Sequence, residues 1–146
     1  MVFASHRAFC AFLVFVAALV SGAALAPLQA LATTGYYTAS QAAAGKRLFD
    51  AHCAPCHMTT LKGGAGPPLT GKRFVSYLEF SHITAAQLLS FITKQMPYNA
   101  PGSLQPQEYR NILAYILQFD HYPAGAEPLS EKSVGRVKLL PYPGKS

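Results

Sequence analysis

Cysteine is scarce in this chain. Only three occur in 146 residues, and one of them, Cys10, sits in the N-terminal apolar run. The other two form a single C-x-x-C pair, Cys53 and Cys56. No second pair completes a zinc site. No alternation of strand and helix surrounds the pair, as a thioredoxin-like dithiol would require. Methionine is equally sparse: three in all, leaving Met58 and Met96 beyond the initiator. Acidic residues number six against twelve Lys and Arg, for a formal net charge of +6. Those cations are scattered rather than gathered along one helix, which argues against a nucleic-acid surface.

A long apolar run is also missing. Ala8 to Val20 is unbroken but too short to span a bilayer comfortably. Arg7, with His6 beside it, precedes the run, and A-x-A sites follow at Ala24-Leu25-Ala26 and Ala30-Leu31-Ala32. This is the layout of a secretory signal peptide over residues 1–32, cleaved after Ala32. The competing reading is an uncleaved membrane anchor, since the apolar stretch nearly continues to Leu31. Export predicts a periplasmic protein. Loss of the leader removes Arg7 and leaves one small domain, still basic. A basic exported protein steers onto acidic faces of protein partners.

The pair is followed at once by histidine: Cys53-Ala54-Pro55-Cys56-His57. C-x-x-C-H is the attachment signal for a c-type haem. Two thiols one helical turn apart suit addition to two vinyl groups on one porphyrin edge. The histidine that follows is placed to ligate the iron. A dithiol redox pair, half a zinc site and a simple disulfide are the rival readings.

The rest of the mature chain reads as short helices and rigid loops. Residues 33–39 read as a flexible lead-in. Ser40 or Thr38 is a candidate cap for a helix from Gln41 to Cys53. Gly45 is costly inside that helix unless another helix crosses closely there. Lys62 to Gly71 is dense in Gly and Pro, suited to laying backbone against a ligand. A short helix is expected at Phe74–Phe80, and another at Ala85–Lys94 behind Thr84, ended by Pro97. His82 is expected to start a helix. Tyr109, Ile112, Leu113, Ile116 and Leu117 mark the clearest amphipathic helix, opened by Pro106. Residues 120–146 read as an irregular extension wrapped over the domain.

If His57 takes one face of an iron, the other needs a sulfur or imidazole. Met58 adjoins His57 and is held on the same side. Met96 lies after a helix, before a proline, in a loop long enough to reach around. His52, His82 and His121 are the rival ligands.

Gly45 and Phe49 before Cys53-Ala54-Pro55-Cys56-His57, then Gly66-Pro67-Pro68-Leu69, Met96-Pro97 and Tyr109 to Leu117, resemble a class I monohaem cytochrome c. The match spans residues 40–119. Tyr98 to Gly102 and Tyr122 to Gly125 look most like the small bacterial cytochromes associated with quinoprotein (PQQ) dehydrogenases. The resemblance implies an all-α cytochrome c fold, three to five short helices around one covalent haem c, with an irregular C-terminal tail. It implies that Cys53 and Cys56 are the thioether residues and that His57 and Met96 are the axial ligands. It implies that Pro67 offers its carbonyl to the His57 ring, and that Gly45 and Phe49 mark where the first helix meets the last. Gln105 departs from the pattern, since a better capping residue is usual before Pro106.

A six-coordinate iron has no place for substrate, so the expected role is electron transfer rather than catalysis. The expected partners are a dehydrogenase or quinol-oxidising complex as donor and an oxidase as acceptor. Two alternatives are a fixed subunit of a periplasmic dehydrogenase, favoured by the extended tail, and a small peroxidase-like enzyme with a labile Met96. N-terminal sequencing of the exported protein is expected to begin at or near Thr33. Full-length chain recovered from the membrane would instead indicate the anchor.

Overall fold

The structure, a computed structural model, describes residues 34–144. The leader read at 1–32, with Cys10 and the cleavage point at Thr33, lies outside the described residues. Within them the chain forms five α-helices and one short 3-10 turn, and the only strand-like pairing is an isolated bridge between Tyr37 and Ala124. None of the described helices is long and apolar enough to cross a membrane. The all-α fold expected from the sequence is the fold observed.

Helix α1 spans Ala39–His52. Of the two candidate caps, Thr38 is the one used. Its backbone is extended and its hydroxyl accepts the Gln41 N–H at 3.1 Å. The helix therefore begins two residues before the expected start. Helix α2, Ala54–His57, follows with Cys53 at the junction and Pro55 in its first turn. Helix α3 spans Gly71–Ser81, longer at its N-terminus than the expected Phe74–Phe80. The expectation that His82 starts a helix is corrected here: it ends α3 in the left-handed conformation, with φ 52°, and is exposed.

Helix α4 spans Ala85–Gln95. Thr84 and Gln87 cap each other reciprocally, with Gln87 N–H on Thr84 Oγ1 at 3.2 Å and Thr84 N–H on Gln87 Oε1 at 2.9 Å. Helix α5 spans Pro106–Phe119. Gln105, the departure noted above, is offset from within the helix: the Glu108 carboxylate accepts the Gln105 N–H at 2.7 Å. The acidic side chain also lies in the first turn, where the helix dipole favours it.

Helices α1 and α5 form the largest helix–helix contact. They meet at Gly45, where any Cβ would run into the Asn111 carbonyl of α5. That close approach is what the buried glycine is for. Beside it Phe49, Leu61, Ile112, Tyr115 and Ile116 form one apolar cluster. A larger one joins α3, α4 and α5 to residues from both ends of the chain.

The lead-in reading of 33–39 gives way here. Tyr37 is 2% exposed, and its hydroxyl donates to the Tyr122 carbonyl at 2.7 Å. Tyr36 N–H donates to the Pro123 carbonyl, and Gly125 N–H to the Tyr37 carbonyl. A tyrosine-rich stretch reads as polar lead-in from sequence, but its rings carry enough apolar area to be buried. The segment after α5 is irregular apart from the turn Val134–Arg136. It buries Leu129, Val134, Val137 and Leu139 in the main core, each contributing about 1.5–3 kcal/mol by apolar burial. Buried Gln41 pairs with both backbone groups of Leu129: its Nε2 donates to the carbonyl at 2.9 Å, and its Oε1 accepts the N–H at 2.7 Å.

Asp120 ends α5 and is 1% exposed. The Tyr142 hydroxyl donates to its Oδ1, while its Oδ2 is buried without a protein partner. Burial pushes the carboxyl above its ordinary value, and the hydrogen bond from Tyr142, the nearby Thr70 hydroxyl and the charge of His121 only partly offset this. The folded state thus holds the proton more tightly than the unfolded chain. That stability is complete below the unfolded value of about 3.9 and is lost as pH rises through the raised one. Asp120→Asn keeps an acceptor but cannot titrate. Its stability relative to wild type is expected to increase from pH 4 to pH 7, as read from urea midpoints at the two pH values.

Candidate functional site

A cavity of about 1070 Å³ opens among the helices, at or above the upper end of the roughly 300–1,000 Å³ of small-molecule sites. One wall is Cys53, Cys56 and His57; another is Pro67, Pro68 and Leu69. Met96 and several residues after it line the cavity as well. Phe49, Phe74, Leu88, Ile112 and Ile116 supply apolar surface from four helices.

The first wall is one continuous piece of backbone. Cys53 N–H donates to the Phe49 carbonyl at 2.8 Å and His57 N–H to the Cys53 carbonyl at 2.9 Å. The C-x-x-C-H run is therefore a helical turn hung directly on α1. His57 is buried, and its Nδ1 lies 2.7 Å from the Pro67 carbonyl. A carbonyl only accepts, so Nδ1 carries the proton, and in the neutral ring Nε2 is the nitrogen with the lone pair. The loop that brings Pro67 there is tied to the same turn: Gly66 N–H donates to the Cys56 carbonyl at 2.9 Å, and Gly63 N–H to the His57 carbonyl at 3.1 Å. Gly66 packs on the imidazole itself. A Cβ there would sit 2.9 Å from His57 Cε1 and 3.1 Å from Nδ1.

Cys53 is half-buried and Cys56 exposed, and both are free thiols. Burial, and to a lesser degree the charge of Cys56, pushes the Cys53 thiol up to about 11. The reactive thiol of a dithiol redox centre is shifted down instead, the reverse of what Cys53 shows.

Met96 follows the last residue of α4 and its N–H donates to the Ile92 carbonyl at 3.0 Å. Its carbonyl accepts the Tyr109 hydroxyl of α5 at 2.7 Å. Met58, by contrast, is 49% exposed and is not part of the cavity wall. Of the rival histidines only His52 borders the cavity; His82 and His121 do not. Lys62, Lys72 and Lys94 are exposed but stand outside the lining, where the one permanently charged residue is Arg73. Tyr77, Phe91 and Tyr98 line the cavity while staying 48%, 48% and 84% exposed, so the rim is aromatic.

Two contributors escaped the sequence reading. Tyr109 was expected only to pack, yet its hydroxyl holds the Met96 backbone. The signal was there: a tyrosine at a core position needs a partner for its O–H. Gly66 was legible only as loop punctuation, because its contact with His57 depends on how the loop folds back.

These residues fit a haem. The cavity is large and mostly apolar, two thiols stand beside it, and its lining includes both a buried imidazole held through Nδ1 and a thioether-bearing residue. The chain is an electron-transfer haem protein of the cytochrome c class. A family model described as cytochrome c oxidase, cbb3-type, subunit III, matches residues 40–116, more than half of the chain. The chain belongs to that family of class I monohaem c-type cytochromes, and the family implies a covalent haem c. Among solved structures it is similar to the sulfane dehydrogenase SoxCD from Paracoccus pantotrophus, at 22% identity and a TM-score of 0.57. That likeness covers 70% of this chain and 54% of the other, and shows the fold alone. No curated protein matches.

Gly66→Ala is expected to displace the His57 ring. Overpacking of this kind costs about 1–3 kcal/mol. Lower stability of the haem-loaded protein in urea, with a perturbed ferric spectrum, is the expected readout.

Proposed function

We propose that this chain is an exported, periplasmic monohaem cytochrome that carries single electrons from a dehydrogenase or quinol-oxidising complex to a terminal acceptor. Haem c, when bound, supplies the one-electron couple. Cys53 and Cys56 would hold it through two thioethers, and His57 and Met96 would serve as axial ligands. The observation that supports this reading is the His57–Pro67 hydrogen bond at a cavity that Met96 also lines. Nδ1 is committed to the carbonyl, which orients the ring and raises the donor strength of Nε2. Tyr109 fixes the backbone of Met96 from α5. The apolar walls exclude water and so limit how far the surroundings rearrange when charge changes. Two protein ligands leave no position for substrate, so these residues support transfer rather than catalysis at the iron.

Partner docking would use the aromatic rim of Tyr77, Phe91 and Tyr98, with Arg73 at the cavity and Lys62, Lys72 and Lys94 as exposed cations. Such a surface suits an acidic partner with an apolar centre. A second reading is a fixed subunit of a dehydrogenase, such as a quinoprotein enzyme. The exposed aromatic rim and the similarity to a chain of sulfane dehydrogenase SoxCD support it. Co-purification at moderate salt separates a fixed subunit from a diffusing carrier.

The mature protein, made with the cytochrome c assembly machinery, is expected to exceed its polypeptide mass by one haem. Its ferric form is expected to show the weak near-infrared sulfur-to-iron band. Met96→Ala is expected to abolish the band, open the iron to cyanide and lower the potential by on the order of 0.1 V, within the roughly 0.8 V that axial ligation commands. A polypeptide mass with a Cys53–Cys56 disulfide would refute haem attachment. A band and potential unchanged in Met96→Ala would refute Met96.

A further inference from the structure

Tyr142 belongs to the tail and is not part of the cavity wall, yet its hydroxyl touches the segment that carries the partner of His57. The O–H donates to Asp120 Oδ1 at the end of α5. It accepts the Gly71 N–H at 3.3 Å and lies 3.2 Å from Thr70 Oγ1, which is left to donate to it. One donor and two acceptor positions are the whole capacity of a hydroxyl, and all three are used. The ring packs edge-on against Phe74 and Tyr122, with centroids 6.5 Å and 6.1 Å away. Phe74 is itself a cavity residue.

Thr70 stands three residues after Pro67, and between them Leu69 N–H donates to the Leu61 carbonyl at 2.8 Å. The loop from Leu61 is thus closed at its neck by that bond and anchored at its exit by Tyr142. Its entrance is tied to the C-x-x-C-H turn. The exit anchor reaches α5, the helix whose Tyr109 holds Met96. Both walls of the cavity are referred to one helix, and one of the two connections runs through the tail.

We propose that Tyr142 is a positioning residue for the His57 loop: its hydroxyl ties Thr70 and Gly71 to Asp120 and so sets the Pro67 carbonyl against His57 Nδ1. The proposal rests on reading His57 as an axial ligand. A well-set carbonyl makes the imidazole a stronger donor, which favours Fe(III) and lowers the potential. Loss of the hydroxyl strands a buried carboxylate oxygen and a backbone N–H, and the loop exit loosens.

The test uses the haem-loaded mature protein. Tyr142→Phe keeps the ring packing and removes the hydroxyl. Thr70→Val removes one leg of the anchor at nearly constant shape, and serves alone if Tyr142→Phe does not fold. Leu139→Ala is the control: it loosens the tail through the core, where Leu139 is 6% exposed, while the Tyr142, Thr70 and Asp120 side chains of the anchor are kept. Haem content by intact mass, the reduction potential, the hyperfine-shifted His57 ring resonances of the ferric protein and the thermal midpoint are measured for each.

Both anchor variants are expected to retain full haem and shifted His57 resonances. The ferrous-to-ferric ratio at fixed poise is expected to rise by about threefold in Tyr142→Phe, about 28 mV at 59 mV per decade for one electron. Leu139→Ala is expected to lower the thermal midpoint with potential and resonances unmoved. Anchor variants that behave like Leu139→Ala would overturn the proposal and leave the tail a structural strap. Wild-type protein without haem would instead remove the reading beneath it.

Discussion

The hydrogen bond between His57 Nδ1 and the Pro67 carbonyl is the constraint around which the rest is arranged. It joins a helical turn to an irregular loop, ten residues apart, and it requires a proton on Nδ1. For the loop to come so close, Gly66 must have no side chain, because any Cβ would meet the imidazole. The run of Gly and Pro from Lys62 to Gly71 follows from this demand. Glycine permits the approach, and proline limits the conformations the loop must give up. The backbone bonds from Gly63 and Gly66 to the His57 and Cys56 carbonyls close the loop on the turn it serves.

The other wall depends on a second close approach. Gly45 lets α5 press against α1, and α1 is the helix on which the C-x-x-C-H turn hangs. The same α5 presents Tyr109 to the Met96 carbonyl. A substitution that pushes α1 and α5 apart therefore disturbs both sides of the cavity together. The geometry of a two-sided site is set by a helix crossing that contributes no ligand.

Much of this was legible before the structure. The C-x-x-C-H run, the lone Met after a helix and the period of Tyr109 to Leu117 are local patterns, and local patterns survive in sequence. The caps were read correctly where a side chain does the capping, as at Thr84. They were misjudged where the compensation sits elsewhere, as with Glu108 behind Gln105. His82 was taken for a helix start, though it occupies the left-handed turn that ends α3. Tyr36 and Tyr37 were taken for a loose lead-in, because the chain they pack against arrives some 85 residues later. Separation in sequence likewise hid the hydroxyl partners of Tyr109, 13 residues away, and of Tyr142, 22 to 72 residues away. Pattern reading sees what neighbours in sequence do to one another. Contacts between chain ends are decided by the fold.

The matched family region stops at residue 116, but the core does not. Leu129, Val134, Val137 and Leu139 lie beyond it, and Gln41 spends its whole amide on Leu129. The segment from Leu129 to Leu139 thus supplies side chains that the earlier helices need as a floor. A protein cut back to the matched region would open that floor to water, and the C-x-x-C-H turn would hang on helices that lack part of their packing.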